Sequence, residues 1–231
     1  MNWSKENLEK PMWKEEITNR EQKEEIARKV AKLVKNWDVI GFGSGSTSYL
    51  TAIEIANRMK NENLAITAIP TSYEIKMLCT YLDIPVSSID DKKPDWCFDG
   101  ADEVDKDGWI IKGRGAAMFN EKLNILNSAK TYILVDNSKI VEKVGEKWPI
   151  PIECNPRAIN YVKEELYRIG ANEISLRLAL KKDGPVITEN GNIIFDVKFN
   201  EITDDLERRI KNITGVIESG LFIGYNTEII K

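Results

Sequence analysis

Histidine is absent from this 231-residue chain, which removes the commonest general base at neutral pH and the commonest transition-metal ligand. Proton transfer must fall to carboxylates, Lys, Tyr or Cys. Cysteine is scarce: Cys79, Cys97 and Cys154 are widely separated, odd in number and without metal-ligand spacing, a pattern that predicts buried reduced thiols. No apolar run approaches the roughly 20 residues needed to span a bilayer, and the first residues, with Lys5, Glu6, Glu9 and Lys10, lack the apolar stretch of a signal peptide. These gaps predict a cytoplasmic protein without membrane contact. Positive charge is not in surplus either: 33 Lys and Arg stand against 37 Asp and Glu, a formal net charge of −4, which argues against nucleic acid as a partner while leaving room for a local basic pocket.

What is present is an ordinary globular balance, 42% hydrophobic and 30% charged, in a chain long enough for a main domain carrying a smaller lobe. Residues 1 to about 17 show no clear period and read as an arm or a short extra helix, so 1–20 is set apart as an N-terminal arm. From Glu21, Ile26, Val30, Leu33 and Val34 recur at helical spacing. Asp38-Val-Ile then runs into a glycine-rich turn and a second helix. Strands at 65–69, 96–99, 110–111 and 132–135 alternate with helices at 73–82 and 116–128. This alternation predicts an α/β fold, a Rossmann-like and largely parallel sheet flanked by helices, with ligands at the carboxyl ends of the strands. Near Ile152 the grammar changes. Asn155-Pro156 starts a helix that Gly170 ends; strands follow at 173–180 and 193–199 with turns at Asp183-Gly184 and Asn190-Gly191; Thr203 is placed to cap a helix containing Leu206 and Ile210; and 215–222 returns as a strand. The expected organisation is a main α/β domain over 21–151 and 216–231 and a small α+β lobe over 152–215.

Three motifs carry chemistry. Gly41-Phe-Gly-Ser-Gly-Ser-Thr47 is a glycine-rich strand-to-helix turn, either a phosphate cradle or a tight turn in which Ser46 or Thr47 caps the helix. It lacks the Lys of a triphosphate-binding loop and the spacing of a dinucleotide fingerprint. Phe98-Asp-Gly-Ala-Asp-Glu-Val-Asp105 places four carboxylates within seven positions at a strand end, so that they are either used or solvated; the spacing matches no calcium loop, and no His is there to complete a transition-metal site. Ile111-Lys-Gly-Arg-Gly-Ala-Ala117, with Glu121 beyond it, pairs a second glycine-rich turn with a cation and suits an oxyanion.

In this order and at these distances the motifs resemble the A-type ribose 5-phosphate isomerases, from about Glu21 to Phe222. The family's Gly-rich Thr/Ser-Gly-Ser-Thr loop, Asp-Gly-Ala-Asp-Glu, and Lys-Gly-Gly-Gly with Glu-Lys nine residues after the lysine stand here as Ser44–Thr47, Asp99–Glu103, and Lys112 with Glu121-Lys122. Val135-Asp-Asn-Ser-Lys139 and Pro149-Ile-Pro-Ile-Glu153 match further elements. The resemblance implies an aldose-ketose isomerase of the non-oxidative pentose phosphate pathway that takes a sugar phosphate, uses no metal or other cofactor, and forms a homodimer or homotetramer. It implies phosphate and substrate contacts at Ser44, Gly45, Ser46 and Thr47, with Lys139 and Lys23 completing the charge. Asp99 and Asp102, with Gly100 and Ala101 between them, would bind sugar hydroxyls and assist ring opening; Glu121 would be the base; and Lys112, with the N–H groups of Gly113, Arg114 and Gly115, would hold the enediolate oxygen. Arg114 departs from the family, which has glycine there. If that position needs positive φ, Arg costs about 1–2 kcal/mol; the alternative is an outward side chain with only its N–H in use. Rival readings are an amino-sugar-phosphate deaminase, which usually employs a histidine, an acyl-CoA transferase, and a non-catalytic sugar-phosphate sensor.

Overall fold

In the computed structural model the described residues are Trp13 and 16–231; most of the arm expected over 1–20 lies outside them. The chain divides into two compact units, one built from 1–100, 120–137 and 226–231, the other from 101–119 and 138–225.

The first unit holds a five-stranded, all-parallel sheet in the order β12-β6-β3-β1-β2. Its strands are β1 (Val39–Phe42), β2 (Thr67–Pro70), β3 (Trp96–Gly100), β6 (Lys130–Leu134) and β12 (Thr227–Ile230). The central strands are apolar on both faces, as burial under helices requires: Ile40, Phe42 and Phe98 are fully buried. The rings of Phe42 and Phe98 lie 4.8 Å apart, and burial of each contributes roughly 1.5–3 kcal/mol. Around the sheet stand α1 (Arg20–Ala31), α2 (Ser46–Glu62) and α3 (Tyr73–Tyr81). α1 buries Ile26, Ala27, Val30 and Ala31, and α2 buries Leu50, Ala52, Ile55 and Ala56, so each presents one apolar face to a shared core. Parallel strands have a functional consequence: the segments after β1, β2, β3 and β6 all leave the sheet at the same edge.

The second unit carries two antiparallel sheets. One has four strands, β10 (Val216–Ser219), β7 (Ile150–Cys154), β9 (Ile193–Phe199) and β8 (Ala171–Leu176) in that order; the other has three, β11 (Leu221–Phe222), β5 (Ile110–Ile111) and β4 (Glu103–Val104). Its core gathers Ile152, Val162, Leu166, Phe195, Val197 and Ile210, among others. Asn155 caps as expected, its Oδ1 accepting from the Arg157 N–H at 3.0 Å; a 3₁₀ turn at Pro156–Ala158 leads into α5 (Ile159–Arg168). Most of α4 (Met118–Asn127), from Asn120 on, belongs to the first unit, and α6 (Leu206–Lys211) lies in the second.

Several expectations are corrected. Thr203 does not cap α6: Asp205 is the N-cap residue, and the Thr203 hydroxyl donates to Asp205 Oδ1 at 2.6 Å. The expected strand over 215–222 is two strands in different sheets. They part at Gly220, whose N–H donates to the Pro151 carbonyl at 2.7 Å and whose carbonyl accepts from the Lys112 N–H at 2.9 Å. The strand expected over 173–180 starts earlier and ends at Leu176, after which 177–186 folds into a hairpin closed by Val186 N–H to Arg177 carbonyl at 2.9 Å.

Candidate active site

In the first unit the loop after β1 is fitted around Asp99. A Cβ on Gly43 would lie 2.2 Å from the Asp99 carboxyl carbon, so glycine there is what lets the 2%-exposed carboxyl sit beneath the turn. Asp99 Oδ1 accepts from the N–H groups of Ser44 (3.2 Å) and Gly100 (2.7 Å), which fixes its orientation. The Ser44 hydroxyl meets Thr71 Oγ1 and Ser72 Oγ, both at 2.8 Å, on the segment after β2. Gly45 is the N-cap residue of α2 with φ 92°, and no side chain caps that helix. Ser46 and Thr47 are therefore the first helical residues rather than the cap, and the helix N-terminus keeps the positive field and outward N–H groups that attract an anion.

A cation is aimed at the same turn. Lys23 on α1 is buried; its Nζ donates to Ser46 Oγ at 3.1 Å and lies 3.5 Å from Asp136 Oδ2, while Asn19 Nδ2 donates to Asp136 Oδ1 at 3.1 Å. Glu121, 4% exposed, stands in the first turn of α4. Neighbours on the same helix tie it down: Asn120 Nδ2 donates to the Thr71 carbonyl and Asn124 Nδ2 to the Ile69 carbonyl, each at 2.9 Å.

In the second unit the remaining carboxylates of the acidic motif separate by role. Asp102 Oδ2 accepts from the Arg114 N–H at 3.1 Å. Glu103, fully buried, takes N–H groups from Gly145, Lys147 and Trp148, and Asp105 takes those of Asp107 and Trp109. These two carboxylates therefore order loops, which explains why so much negative charge is tolerated in one segment. Among the described residues no group of three or more His, Cys, Asp or Glu is placed to hold a metal ion.

Lys112 is 2% exposed, with Nζ 5.8 Å from the centre of the Phe222 ring. After it, Gly113 has φ 108°, a conformation that favours glycine, and a Cβ there would have to displace Met118 Cε, 2.8 Å away. Arg114 is exposed and is not among the residues with positive φ. The left-handed residue is Ala116, φ 62°, a conformation that costs roughly 1–2 kcal/mol for a residue with a Cβ. The turn's strain thus falls two residues beyond the departure from the glycine pattern. Gly115 is exposed beside it, and Ala101 and Lys139 are half-buried, the latter ending a 3₁₀ turn over Asn137–Lys139.

By unit, Lys23, Ser44–Thr47, Asp99, Gly100 and Glu121 belong to the first, and Ala101, Asp102, Lys112–Gly115 and Lys139 to the second. Sequence reasoning missed Thr71, Ser72, Asn120, Asn124 and Asp136 as supports. The available signal was position: Thr71, Ser72 and Asp136 all follow the carboxyl ends of parallel strands.

Comparison with known proteins adds a family. The model of the family described as ribose 5-phosphate isomerase A (phosphoriboisomerase A) matches residues 67–231. Ribose-5-phosphate isomerase A of Methanocaldococcus jannaschii is 44% identical over 209 residues, which cover 89% of this chain and 92% of that protein. A solved structure of the isomerase from the same organism superposes with a TM-score of 0.88 at 42% identity, over 92% of this chain and 95% of that one. A D-ribose-5-phosphate isomerase in complex with phospho-erythronic acid has a TM-score of 0.88 at 38% identity, with the same coverage.

Proposed function

Since the chain belongs to the ribose 5-phosphate isomerase A family, we propose that it interconverts D-ribose 5-phosphate and D-ribulose 5-phosphate through an enediolate, with Glu121 as the base. The observation that carries the assignment of roles is Glu121 itself: a carboxylate buried to 4% exposure at the start of a helix, nine residues after the buried Lys112. Burial keeps water from the transferred proton and strengthens nearby electrostatics.

The phosphate is held by the N-terminus of α2 with Ser46, Thr47 and Lys23, joined by Lys139. Asp99 and Asp102 take the sugar hydroxyls and move the proton from the C1 hydroxyl to the ring oxygen as the ring opens. Glu121 then removes the proton from C2. The C–H electron pair forms the C1–C2 double bond, and the carbonyl pair moves onto O1, where Lys112 and the N–H groups of the turn after it stabilise the charge. Return of the proton from Glu121 to C1, with transfer of the O2 proton to O1, leaves the ketone at C2. The carboxylate of phospho-erythronic acid resembles the enediolate in charge and shape, so that compound is a fitting probe of the oxyanion position.

The same reading includes a cytoplasmic location and a homodimer or homotetramer. No helix among the described residues is long and apolar enough to cross a membrane. Tyr73 and Met77, one turn apart on α3 and each at least 60% exposed, give the first unit an apolar stripe that supports self-association. The overall assignment is tested by following ketose formation from ribose 5-phosphate in a coupled assay. Absence of turnover in folded protein would sink it, and loss of turnover on chelation, restored by one divalent ion, would replace the proposed electrostatics by metal chemistry.

A further inference from the structure

Arg177 follows β8 in the second unit, far in sequence from every motif discussed so far. Its guanidinium is fixed on one side by Asp196 of β9: Nε donates to Asp196 Oδ2 at 2.9 Å, and Nη2 pairs with Oδ1. Only 17% of the Arg177 side chain and 23% of Asp196 is exposed. On the other side Nη1 donates to two successive carbonyls of the Lys112 turn, Gly113 at 2.8 Å and Arg114 at 2.9 Å.

The peptide geometry makes this contact consequential. Among the described residues there are no cis peptide bonds, and in a trans peptide plane the carbonyl and the following N–H point in opposite directions. Drawing the Gly113 carbonyl toward Arg177 turns the Arg114 N–H away from it, and that N–H is found on Asp102. Drawing the Arg114 carbonyl likewise turns the Gly115 N–H away. One guanidinium therefore helps to set the direction of two consecutive backbone donors, alongside the turn's own bond from the Ala116 N–H to the Gly113 carbonyl at 3.0 Å, in a turn where Gly113 and Ala116 both hold positive φ. A planar fork held by a carboxylate suits this; a Lys ammonium lacks the geometry.

We propose that Arg177, oriented by Asp196, is a positioning residue for isomerisation: it presets the peptide planes of Gly113–Arg114 and Arg114–Gly115 so that the Arg114 N–H holds Asp102 and the Gly115 N–H faces the developing enediolate oxygen. The inference rests on the reading of the 112–115 turn as the oxyanion-binding element.

The test compares two inhibitors in the intact enzyme. Phospho-erythronic acid carries a carboxylate where charge develops; ribitol 5-phosphate has the same phosphate but no such charge. In Arg177→Met, kcat should fall roughly 10–100-fold, somewhat less than the loss on deleting an oxyanion donor, with KM changed less than about threefold. Phospho-erythronic acid should weaken by a factor similar to the kcat loss, and ribitol 5-phosphate by less than about twofold. Arg177→Met/Asp196→Leu removes the stranded carboxylate and should fold while showing the same split. Equal weakening of both inhibitors, or of neither, overturns the proposal. Lys112→Met separates this from failure of the underlying reading: unchanged affinity for phospho-erythronic acid in that variant removes the oxyanion role of the turn altogether. Weakening there combined with wild-type behaviour in both Arg177 variants removes only the role of Arg177.

Discussion

Lys23 and Asp136 form a buried pair, their charged atoms 3.5 Å apart and their side chains 5% and 1% exposed. The pair brings a cation to Ser46 with its charge balanced by the carboxylate. Asp136→Asn removes the balance, and a buried charge left alone costs about 3–5 kcal/mol. Urea unfolding should show a loss on that scale, with much of it regained in Lys23→Met/Asp136→Leu. Unchanged stability in Asp136→Asn would mean that the two charges are independently solvated.

Glu121→Gln keeps the size and much of the hydrogen bonding of the proposed base but cannot accept a carbon-bound proton at neutral pH. Substrate binding should persist while kcat falls by roughly 10²–10⁴-fold. Exchange of the C2 proton of ribose 5-phosphate in deuterated solvent reads this step directly. Exchange near the wild-type rate in the folded variant would shift the role of base to Asp99 or Asp102.

Arg114→Gly places the usual family residue in the turn, yet Arg114 has no positive φ to relieve. The substitution should therefore lower stability by about 0.4–1 kcal/mol, through the greater freedom of the unfolded chain. A gain in the urea midpoint would show that the side chain is strained after all.

Glu153 provides a pH signature in the second unit. Burial raises its carboxyl above the ordinary range, and the Glu218 carboxylate adds to the effect. Its Oε1 accepts from Thr188 Oγ1 and Asn192 Nδ2 at 2.8 Å each, while Oε2 has no hydrogen-bond partner among the described residues. The folded state holds this proton more tightly than the unfolded state. The stabilisation it brings is thus complete below the ordinary glutamate range and declines as pH rises through the raised value. Glu153→Gln should flatten that decline and be the more stable form at pH 8. Parallel stability profiles for the two proteins, measured between pH 4 and 8, would show that Glu153 ionises normally.

The parts of this architecture legible in the sequence were those written locally. The parallel sheet could be read because apolar strands and amphipathic helices alternate from Glu21 to Val135, and the turns at 43–47 and 112–115 because glycine marks them. Of the three-stranded sheet the strand at 110–111 was legible, but not its antiparallel pairing: each of the sheet's strands has two residues, too few to show a period. The break at Gly220 was hidden inside a segment that reads as one strand, since its cause is an approach so close that a Cβ would lie 2.0 Å from the Lys112 carbonyl oxygen. Thr203 carried a cap signature that Asp205 took over. The Arg177 contact joins positions more than 60 residues apart, and nothing in either local segment announces it.

The interleaving of the two units bears on how the protein is made. β6 is synthesised before residues 138–225, and its partner β12 only after them. While a ribosome is producing residues 138–225, the larger part of the second unit, the first must wait with one flank of β6 bare, its N–H and carbonyl groups open to any other extended chain. Tyr132, Ile133 and Leu134 on that strand give such a stray pairing apolar support. A ribosome stalled anywhere between Ser138 and Tyr225 would thus hold a nascent chain with an adhesive edge, and the safest transit through this stretch is a rapid one or one shielded by a chaperone.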